Sequence, residues 1–384
     1  MRIGLVIDYF DPRRGGAEQW TFQHAQRLLA RGHEVHVVAQ DAGPAAQRLP
    51  IVLHRLGKIR SRIHRGEAAE GVLRRLALDV IHDMGLGWYC DIFESHDGSR
   101  VGQWERKLHM LPPWARPWKR LMIRLLPRYG EFRKLMQRQL SDPERIVVAL
   151  SKMVADDFLR YHAVRPEQIR LIYNGVDTER FSPANRDRFR EPVRAQHDLG
   201  KDEVVFVFVG HDFRRKGLAT AIRALGRLTA GRHDAHLLVV GGKRFGPYQR
   251  LAQRCGAADR VTFVGPVDDP VPYYAAADAF VLPSFYDPCS LSVSEAAASG
   301  LPSVTSRFNG AGELLTEGID GYVLPDPADD AAMADRMQRL LDPGLRHQMG
   351  AMAHRLALQY TLDRNCDETV AVYHEIARVR RCAA

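Results

Sequence analysis

Short runs of β-branched and aliphatic residues alternate with helix-period segments along most of this chain, and that alternation limits its fold more than any other feature. Residues 2–8 form one such run, which is followed by a helical pattern over 17–31 and a second run over 34–39. An uninterrupted apolar run at 204–209 opens a second series. Apolar runs joined by helices are typical of buried strands in a parallel sheet. The sequence therefore predicts an α/β fold that is built twice.

The length of 384 residues also favours two domains, because single hydrophobic cores stop growing at roughly 250–300 residues. The polar stretch 177–201 carries two prolines and is predicted to be the linker. The predicted domains are 1–184 and 185–363, with an apolar-striped helix over 364–382 at the end. Further strands are expected at 52–54, 80–82, 145–150, 236–240, 261–264 and 279–282.

Two carboxylates, Asp287 and Glu295, stand eight residues apart around the start of a predicted helix, 291–299. The N–H groups near Ser290 and Leu291 fall at the N-terminus of that helix, and such a terminus attracts anions. A diphosphate bound there would meet one carboxylate on each side, and both acids can accept hydrogen bonds from sugar hydroxyls.

Two further loops have the composition of phosphate-binding turns. Residues 210–217 follow a strong predicted strand and read Gly-His-Asp-Phe-Arg-Arg-Lys-Gly. Cations there suit a bound phosphate, which a planar guanidinium can contact with two hydrogen bonds. Gly15 and Gly16 lie between the first strand and first helix, where glycines let backbone N–H groups approach a phosphate closely.

The stretch 287–304 resembles the acid-seven-acid signature of retaining, GT-B-fold, family 4-like glycosyltransferases. That signature runs roughly E-G-F-G-L-x-x-x-E-A-x-A-x-G-x-P-V, and this chain reads D-P-C-S-L-S-V-S-E-A-A-A-S-G-L-P-S-V. Asp287, Pro288 and Ser290 depart from it. The loop 210–217 resembles the family's G-R-x-x-x-x-K-G turn, with His211 in place of the arginine.

The resemblance implies a GT-B fold, with two Rossmann-like domains that face an interdomain cleft and a last helix that returns to the first domain. It implies that Asp287 contacts the donor sugar, that Glu295 contacts the ribose, and that Lys216 and Arg215 stabilise the leaving diphosphate. His96 or Asp97 would orient or deprotonate an acceptor hydroxyl. The other donor-binding residues would be Gly15, Gly16, Gly210, His211, Gly242, Ser290 and Leu291. No D-x-D motif follows a strand, so neither a metal nor a cofactor is expected beyond the nucleotide-sugar substrate.

Nearly all of the net charge of +9 lies in residues 101–140, which hold ten Lys or Arg, two acids and three of the five tryptophans. Cations beside an apolar helical face fit a segment that lies on anionic lipid. The alternatives are a lid over the acceptor site or a nucleic-acid patch. No recognised nucleic-acid motif is present, so nucleic acid is not an expected partner. Lipopolysaccharide-core glucosyltransferases of bacteria carry a comparable insertion.

The resulting hypothesis is a retaining hexosyltransferase that moves glucose from UDP-glucose to a membrane-anchored glycan such as the lipopolysaccharide core. The alternatives are a polyprenyl-linked, lipid or small-molecule acceptor, or a non-catalytic descendant that binds nucleotide or glycan. The apolar run at 2–8 ends in an acid, which does not suit a secretory signal. The five cysteines form no C-x-x-C pair, which suits a reducing compartment. The expected location is the cytoplasm, at the inner face of the cell membrane.

Overall fold

The computed structural model describes residues 1–231 and 233–383, with side chains described as far as residue 380. The chain divides into two compact units. The first unit combines Met1–Tyr173 with the segment that begins at Leu362, and the second unit is Asn174–Thr361. The boundary drawn from the sequence, between residues 184 and 185, falls inside the second unit.

The first unit contains a seven-stranded parallel sheet in the order β3-β2-β1-β4-β5-β6-β7. Its strands are β1 (Arg2–Phe10), β2 (Glu34–Ala42), β3 (Val52–Arg55), β4 (Val80–Asp83), β5 (Ile92–Glu94), β6 (Ile146–Ala149) and β7 (Ile169–Leu171). The helices before the second unit are α1 (Gly16–Ala30), α2 (Arg62–Leu73), α3 (Arg100–His109), α4 (Arg116–Leu125), α5 (Pro127–Leu140) and α6 (Lys152–Tyr161). The short strands β5 and β7 were not predicted, because three residues carry too little periodicity to recognise.

The second unit contains a six-stranded parallel sheet in the order β10-β9-β8-β11-β12-β13. Its strands are β8 (Val204–Val209), β9 (Ala235–Val240), β10 (Val261–Gly265), β11 (Ala279–Leu282), β12 (Ser303–Ser306) and β13 (Gly321–Leu324). Its helices are α7 (Asn185–Gln196), α8 (Leu218–Ala230), α9 (Gly246–Arg254), α10 (Val271–Ala276), α11 (Leu291–Ala298), α12 (Asp330–Arg339) and α13 (Pro343–Ala357).

Both sheets reverse their strand order at an internal point, between β1 and β4 in the first unit and between β8 and β11 in the second. In open parallel sheets, the loops beyond the carboxyl ends of the strands diverge at such a point and leave a crevice where ligands bind. The order of strands therefore indicates where to look for a site in each unit.

The predicted linker is wrong in its central part, because residues within it form α7 despite Pro192 in the helix. Three arginines of α7 converge on the buried carboxylate of Asp278: Arg186, Arg190 and Arg194 lie 3.4, 2.8 and 3.2 Å from its oxygens. Burial alone would raise the pKa of Asp278, but Arg190, Arg194 and the N–H of Val205 outweigh burial and lower that pKa. This cluster fastens α7 to the second unit.

Helix α14 (Leu362–Ala383) belongs to the first unit, where it packs against α1. Trp20 of α1 donates through Nε1 to the side-chain oxygen of Asn365 at 3.0 Å, and Tyr373 is fully buried. None of the helices in the described part of the chain is long and apolar enough to cross a bilayer.

Candidate active site

Three loops of the second unit leave neighbouring strands at the carboxyl edge of the sheet, after β9, β8 and β11. The loop after β8 ends at Gly217, whose φ of +78° is left-handed and whose added Cβ would lie 2.1 Å from the carbonyl oxygen of Pro283. Arg215 ties this loop to the one after β11, because its Nη1 donates to the Tyr286 carbonyl at 3.0 Å and its own carbonyl accepts from Phe285.

Lys216 and Asp287 meet between these two loops. Lys216 Nζ donates to Asp287 Oδ2 at 2.8 Å and lies 3.4 Å from Ser290 Oγ. The stem of Lys216 packs across Gly210, where an added Cβ would lie 2.4 Å from Lys216 Cδ. The structure thus brings together three sequence-predicted residues, the cation, the first acid and the helix-start serine, and glycine at 210 makes room for the lysine.

The pair is mostly buried, and its charges influence each other. Burial by itself would raise the pKa of Asp287, but Lys216 and Arg215 outweigh burial and lower that pKa. His211 stands where the family has an arginine. Partial burial and the nearby Lys216 charge lower the pKa of His211, so its imidazole is neutral near pH 7. His211 therefore does not replace the missing guanidinium, whereas Arg215 supplies a second cation.

The N-terminus of α11 differs from the expectation in one respect. The N–H of Ser290 already donates to Asn309 Oδ1 at 3.2 Å, so this N–H is engaged within the protein. Leu291 is the first residue of α11, and its N–H has no acceptor within the helix. Of the two expected backbone donors, Leu291 keeps the geometry for an anion. Asn309 was missed because it lies in a distant segment.

Glu295 lies in α11 with its side chain buried. The phenol of Tyr274, also fully buried, donates to Glu295 Oε2 at 2.8 Å. Burial raises the pKa of Glu295, and the hydrogen bond from Tyr274 lowers it only partway. Tyr274 thus engages one of the two carboxylate oxygens, a role that the sequence gave no pattern to reveal.

Gly242 lies just after β9 with a left-handed φ of +62°. A Cβ at this position would lie 2.3 Å from the ring of Phe213, which packs on Phe208, Phe245 and Tyr248. The glycine therefore accommodates an aromatic cluster beside the loop that carries Lys216.

In the first unit, Gly15 and Gly16 start α1 beyond the carboxyl end of β1. The carboxylate of Glu18 folds back over Gly15, where an added Cβ would lie 2.9 Å from Glu18 Oε2. Burial raises the pKa of Glu18 more than Arg14 lowers it. This turn therefore carries an acid next to the N–H groups that the sequence suggested for a phosphate.

His96 and Asp97 follow β5 and point to different partners. The Nε2 of His96 lies 3.1 Å from Glu94 Oε1, and its ring packs against Trp20 with 4.8 Å between ring centroids. Asp97 pairs instead with Arg100 at the surface. Glu94 was missed, because β5 is too short to be recognised from the sequence and no pattern marked this acid as a partner of His96.

The basic segment 101–140 folds into α3, α4 and α5. Trp104 is buried against Tyr129 and Phe132, so it is not part of an exposed surface. No side chain of α4 is buried. At 100° per residue, four of its apolar side chains form one exposed stripe, together with Trp114 just before the helix. The stripe consists of Trp118, Leu121, Met122 and Leu125, with exposures of 70%, 46%, 46% and 68%.

Comparisons with known proteins agree with this architecture. Residues 189–355 match the model for glycosyl transferases group 1, and residues 14–180 match that for glycosyltransferase family 4. The chain is 29% identical to a D-inositol 3-phosphate glycosyltransferase of Acidothermus cellulolyticus, over 96% of this chain and 88% of that protein. Other curated D-inositol 3-phosphate glycosyltransferases are matched over 54–61% of their own length.

Two solved structures share the fold over nearly all of both chains. WaaG, a glycosyltransferase involved in lipopolysaccharide biosynthesis, has a TM-score of 0.80 and 21% identity, and the match covers 97% of this chain and 99% of WaaG. Anabaena HepE, solved in complex with UDP-glucose, has a TM-score of 0.70 and 18% identity over 100% of each chain. The two Rossmann-type units thus have the GT-B fold. With a match in each half, the chain is a glycosyltransferase of group 1 with a family 4-like first unit.

Proposed function

We propose that this protein transfers a hexose, glucose from UDP-glucose, to a membrane-anchored glycan, with retention of the anomeric configuration. The observation that supports donor binding is the contact of Lys216 with Asp287 and Ser290 at the start of α11. This contact lies beside the point where the strand order of the second sheet reverses. HepE, which shares this fold, binds UDP-glucose, and WaaG acts in lipopolysaccharide biosynthesis; both support the proposal.

In this proposal the second unit binds the donor. Lys216 and Arg215 stabilise the negative charge that develops on the leaving diphosphate, together with the N–H of Leu291. Asp287 accepts hydrogen bonds from sugar hydroxyls, since its ion pair with Lys216 keeps it charged. Glu295 has one oxygen engaged by Tyr274, and its other oxygen accepts from a ribose hydroxyl. Gly242 and the aromatic cluster beside it would adjoin the base.

Ligand-induced thermal shifts with UDP-, GDP- and ADP-glucose test the donor, followed by titration calorimetry with UDP. We expect Glu295→Gln to weaken UDP binding and Asp287→Asn to spare it while impairing transfer. Lys216→Ala should cost about 2–4 kcal/mol in kcat/KM, the range for loss of one preorganised donor. Arg214→Ala is the matched control, because Arg214 is an exposed cation of the same loop. Equal loss of UDP binding in the Asp287 and Glu295 variants would contradict the assigned roles.

The acceptor half of the proposal rests on α4. A surface helix normally turns its apolar stripe toward the core, whereas this one presents Trp118 and Leu125 to solvent. Lys119, Arg120 and Arg124 flank the stripe, and Arg128 follows at the start of α5. Near an anionic bilayer each cation contributes up to about 1 kcal/mol. We therefore propose peripheral association of this helix with anionic lipid, close to a lipid-linked acceptor.

Co-sedimentation with anionic and zwitterionic vesicles tests this association. We expect binding to anionic vesicles, substantial release by high salt, and loss of binding when Lys119, Arg120, Arg124 and Arg128 are changed to Ser. The control replaces four exposed arginines of the second unit, which makes the same change in net charge elsewhere: Arg188, Arg223, Arg254 and Arg355. The membrane proposal would be contradicted if both variants lost binding equally, or if the protein stayed in the supernatant with either lipid. The segment would then be interpreted as a lid over the acceptor site.

One alternative acceptor has an observation in its favour. The relative from Acidothermus cellulolyticus, matched over 96% of this chain, acts on D-inositol 3-phosphate according to its name. A small phosphorylated polyol would need no membrane. Transfer of labelled glucose to lipid-extractable material, compared with transfer to D-inositol 3-phosphate, separates the two acceptors.

A further inference from the structure

A continuous line of polar side chains lies in the core of the first unit, directly beneath His96. Glu94 is 1% exposed, and its two carboxylate oxygens lie 3.1 Å from His96 Nε2 and 3.2 Å from His82 Nε2. His82 Nδ1 lies 2.8 Å from the hydroxyl of Tyr373, which lies 2.9 Å from His24 Nε2. The strands β4 and β5 and the helices α1 and α14 thus contribute to one buried line.

Glu94 has no arginine or lysine within ion-pair distance in the described part of the chain; only the two histidines approach it. Both nitrogens lie close to the carboxylate oxygens, although the contacts lie off the line of an ideal hydrogen bond. Burial alone would raise the pKa of Glu94, yet His82 and His96 outweigh burial and lower that pKa to about 2. Glu94 is therefore a buried anion that depends on imidazole N–H groups.

The negative charge on Glu94 fixes which atoms donate and which accept in the hydrogen bonds that run from Glu94 through His82 and Tyr373 to His24. An ionised carboxylate only accepts hydrogen bonds, so His82 must present Nε2–H to it and keep Nδ1 as an acceptor. Tyr373 then donates its O–H to His82 Nδ1 and accepts from His24 Nε2–H. Burial lowers the pKa of His24 to about 3, so His24 is a neutral imidazole, as this direction of the hydrogen bonds requires.

The same argument applies to His96. Its Nε2 is buried and faces Glu94, so the proton of the neutral ring belongs on Nε2. The basic lone pair is then on Nδ1. Trp20 packs against the His96 ring and limits its rotation. Glu18 also interacts with His96, and the neighbouring Asp97 pairs with Arg100, so neither acid replaces Glu94 at Nε2.

We propose that Glu94 is a positioning residue that holds His96 as the Nε2–H tautomer with a basic Nδ1, and that Tyr373 on the C-terminal helix supports it through His82. The role of Nδ1 toward an acceptor hydroxyl rests on the proposed function. A carboxylate that fixes the tautomer of a histidine in this way prepares the ring to take up a proton and then stabilises the imidazolium. The C-terminal helix would thus contribute to the site of the first unit beyond packing.

Nitrogen-15 NMR of the imidazole rings tests the tautomer without any substrate. In histidine-labelled protein, with His96 assigned from a His96→Asn variant, we expect a protonated Nε2 and an unprotonated Nδ1 above the ordinary histidine pKa. Glu94→Gln should convert His96 to a tautomer mixture, because an amide can donate as well as accept. Tyr373→Phe should shift the tautomer ratio of His96 only partly, and this variant keeps the test possible if Glu94→Gln does not fold. An Nδ1–H tautomer in the wild type, or an unchanged one in both variants, would overturn the proposal.

Kinetics separate positioning from structural support. Glu94→Gln should lower kcat about 10²-fold, the lower end for general-base assistance, and leave the donor KM and UDP affinity unchanged. Glu203→Gln is the matched control, because Glu203 is another buried acid beside a histidine, 3.3 Å from His236 Nδ1. It should lower stability without this kcat loss, and equal kcat losses in the two variants would show a structural role. Absence of any transfer by the wild type would overturn the proposed function, while the NMR result would still decide the tautomer.

Discussion

Replacing Lys216 by Met removes the cation of the Lys216–Asp287 pair and keeps the stem that packs over Gly210. At 2.8 Å the attraction between Lys216 and Asp287 is about 6 kcal/mol for an effective dielectric constant of about 20. Desolvation offsets part of that attraction, and removal of one partner from a buried pair typically costs about 3–5 kcal/mol. We expect a loss in this range for Lys216→Met.

The double variant with Asp287→Asn should be less destabilised than the sum of the two single variants, by up to about 3 kcal/mol, because the uncompensated charge is gone. The pH dependence has a defined sign. The pKa of Asp287 is lowered in the folded protein, so its contribution is present above the ordinary carboxyl value of 3.8 and is lost as the pH falls below it. The stability gap between wild type and Lys216→Met should therefore narrow in acid.

The assay must report on the second unit alone. All five tryptophans lie between residues 20 and 118, so tryptophan fluorescence follows the first unit. Hydrogen exchange of peptides from β8 and β11 gives the opening free energy of the second unit, while the fluorescence transition serves as an internal control that should not move. Exchange in β8 and β11 equal to wild type, or a loss independent of pH, would refute the argued charge balance.

Two other predictions concern the stability of the second unit, and the first of them uses a glycine of the first unit as its control. Gly217→Ala should lower the free energy of unfolding more than Gly32→Ala does, as measured by calorimetry. Both glycines have a left-handed φ, of +78° and +76°, which alone costs an alanine about 1–2 kcal/mol, but only at 217 would the added Cβ meet a backbone oxygen, at 2.1 Å. Equal losses of stability in the two variants would contradict the clash. Asp278→Asn should destabilise the second unit by about 3–5 kcal/mol, since it leaves the three arginines of α7 without their buried acid. Because the pKa of Asp278 is lowered in the fold, that deficit should be full above the ordinary carboxyl pKa and shrink as the pH falls, which acid titration of exchange rates in α7 measures.

The sequence predicted the two α/β units and most of their long strands. The runs at 204–209 and 279–282 became β8 and β11 with those bounds, because uninterrupted apolar runs bury both faces of a strand in any parallel sheet. The predicted linker at 177–201, which rested on the polarity of this stretch, is wrong in its central part, where α7 forms. The helix there is stabilised by Asp278, which lies far along the chain and leaves no local signal.

The sequence by itself indicated Lys216, Asp287 and Glu295 as candidate site residues of the second unit, because each belongs to a local pattern at the start of a predicted helix. Only the tertiary structure decided which neighbouring groups set the protonation state and the hydrogen-bond orientation of the site side chains. Tyr274 engages Glu295, Asn309 occupies the Ser290 N–H, and Glu94 faces His82 only because the strands and helices bring them together. Burial and the pairing of charges depend on neighbours in space, so the pKa and the orientation of each group become defined only when the sheets are assembled.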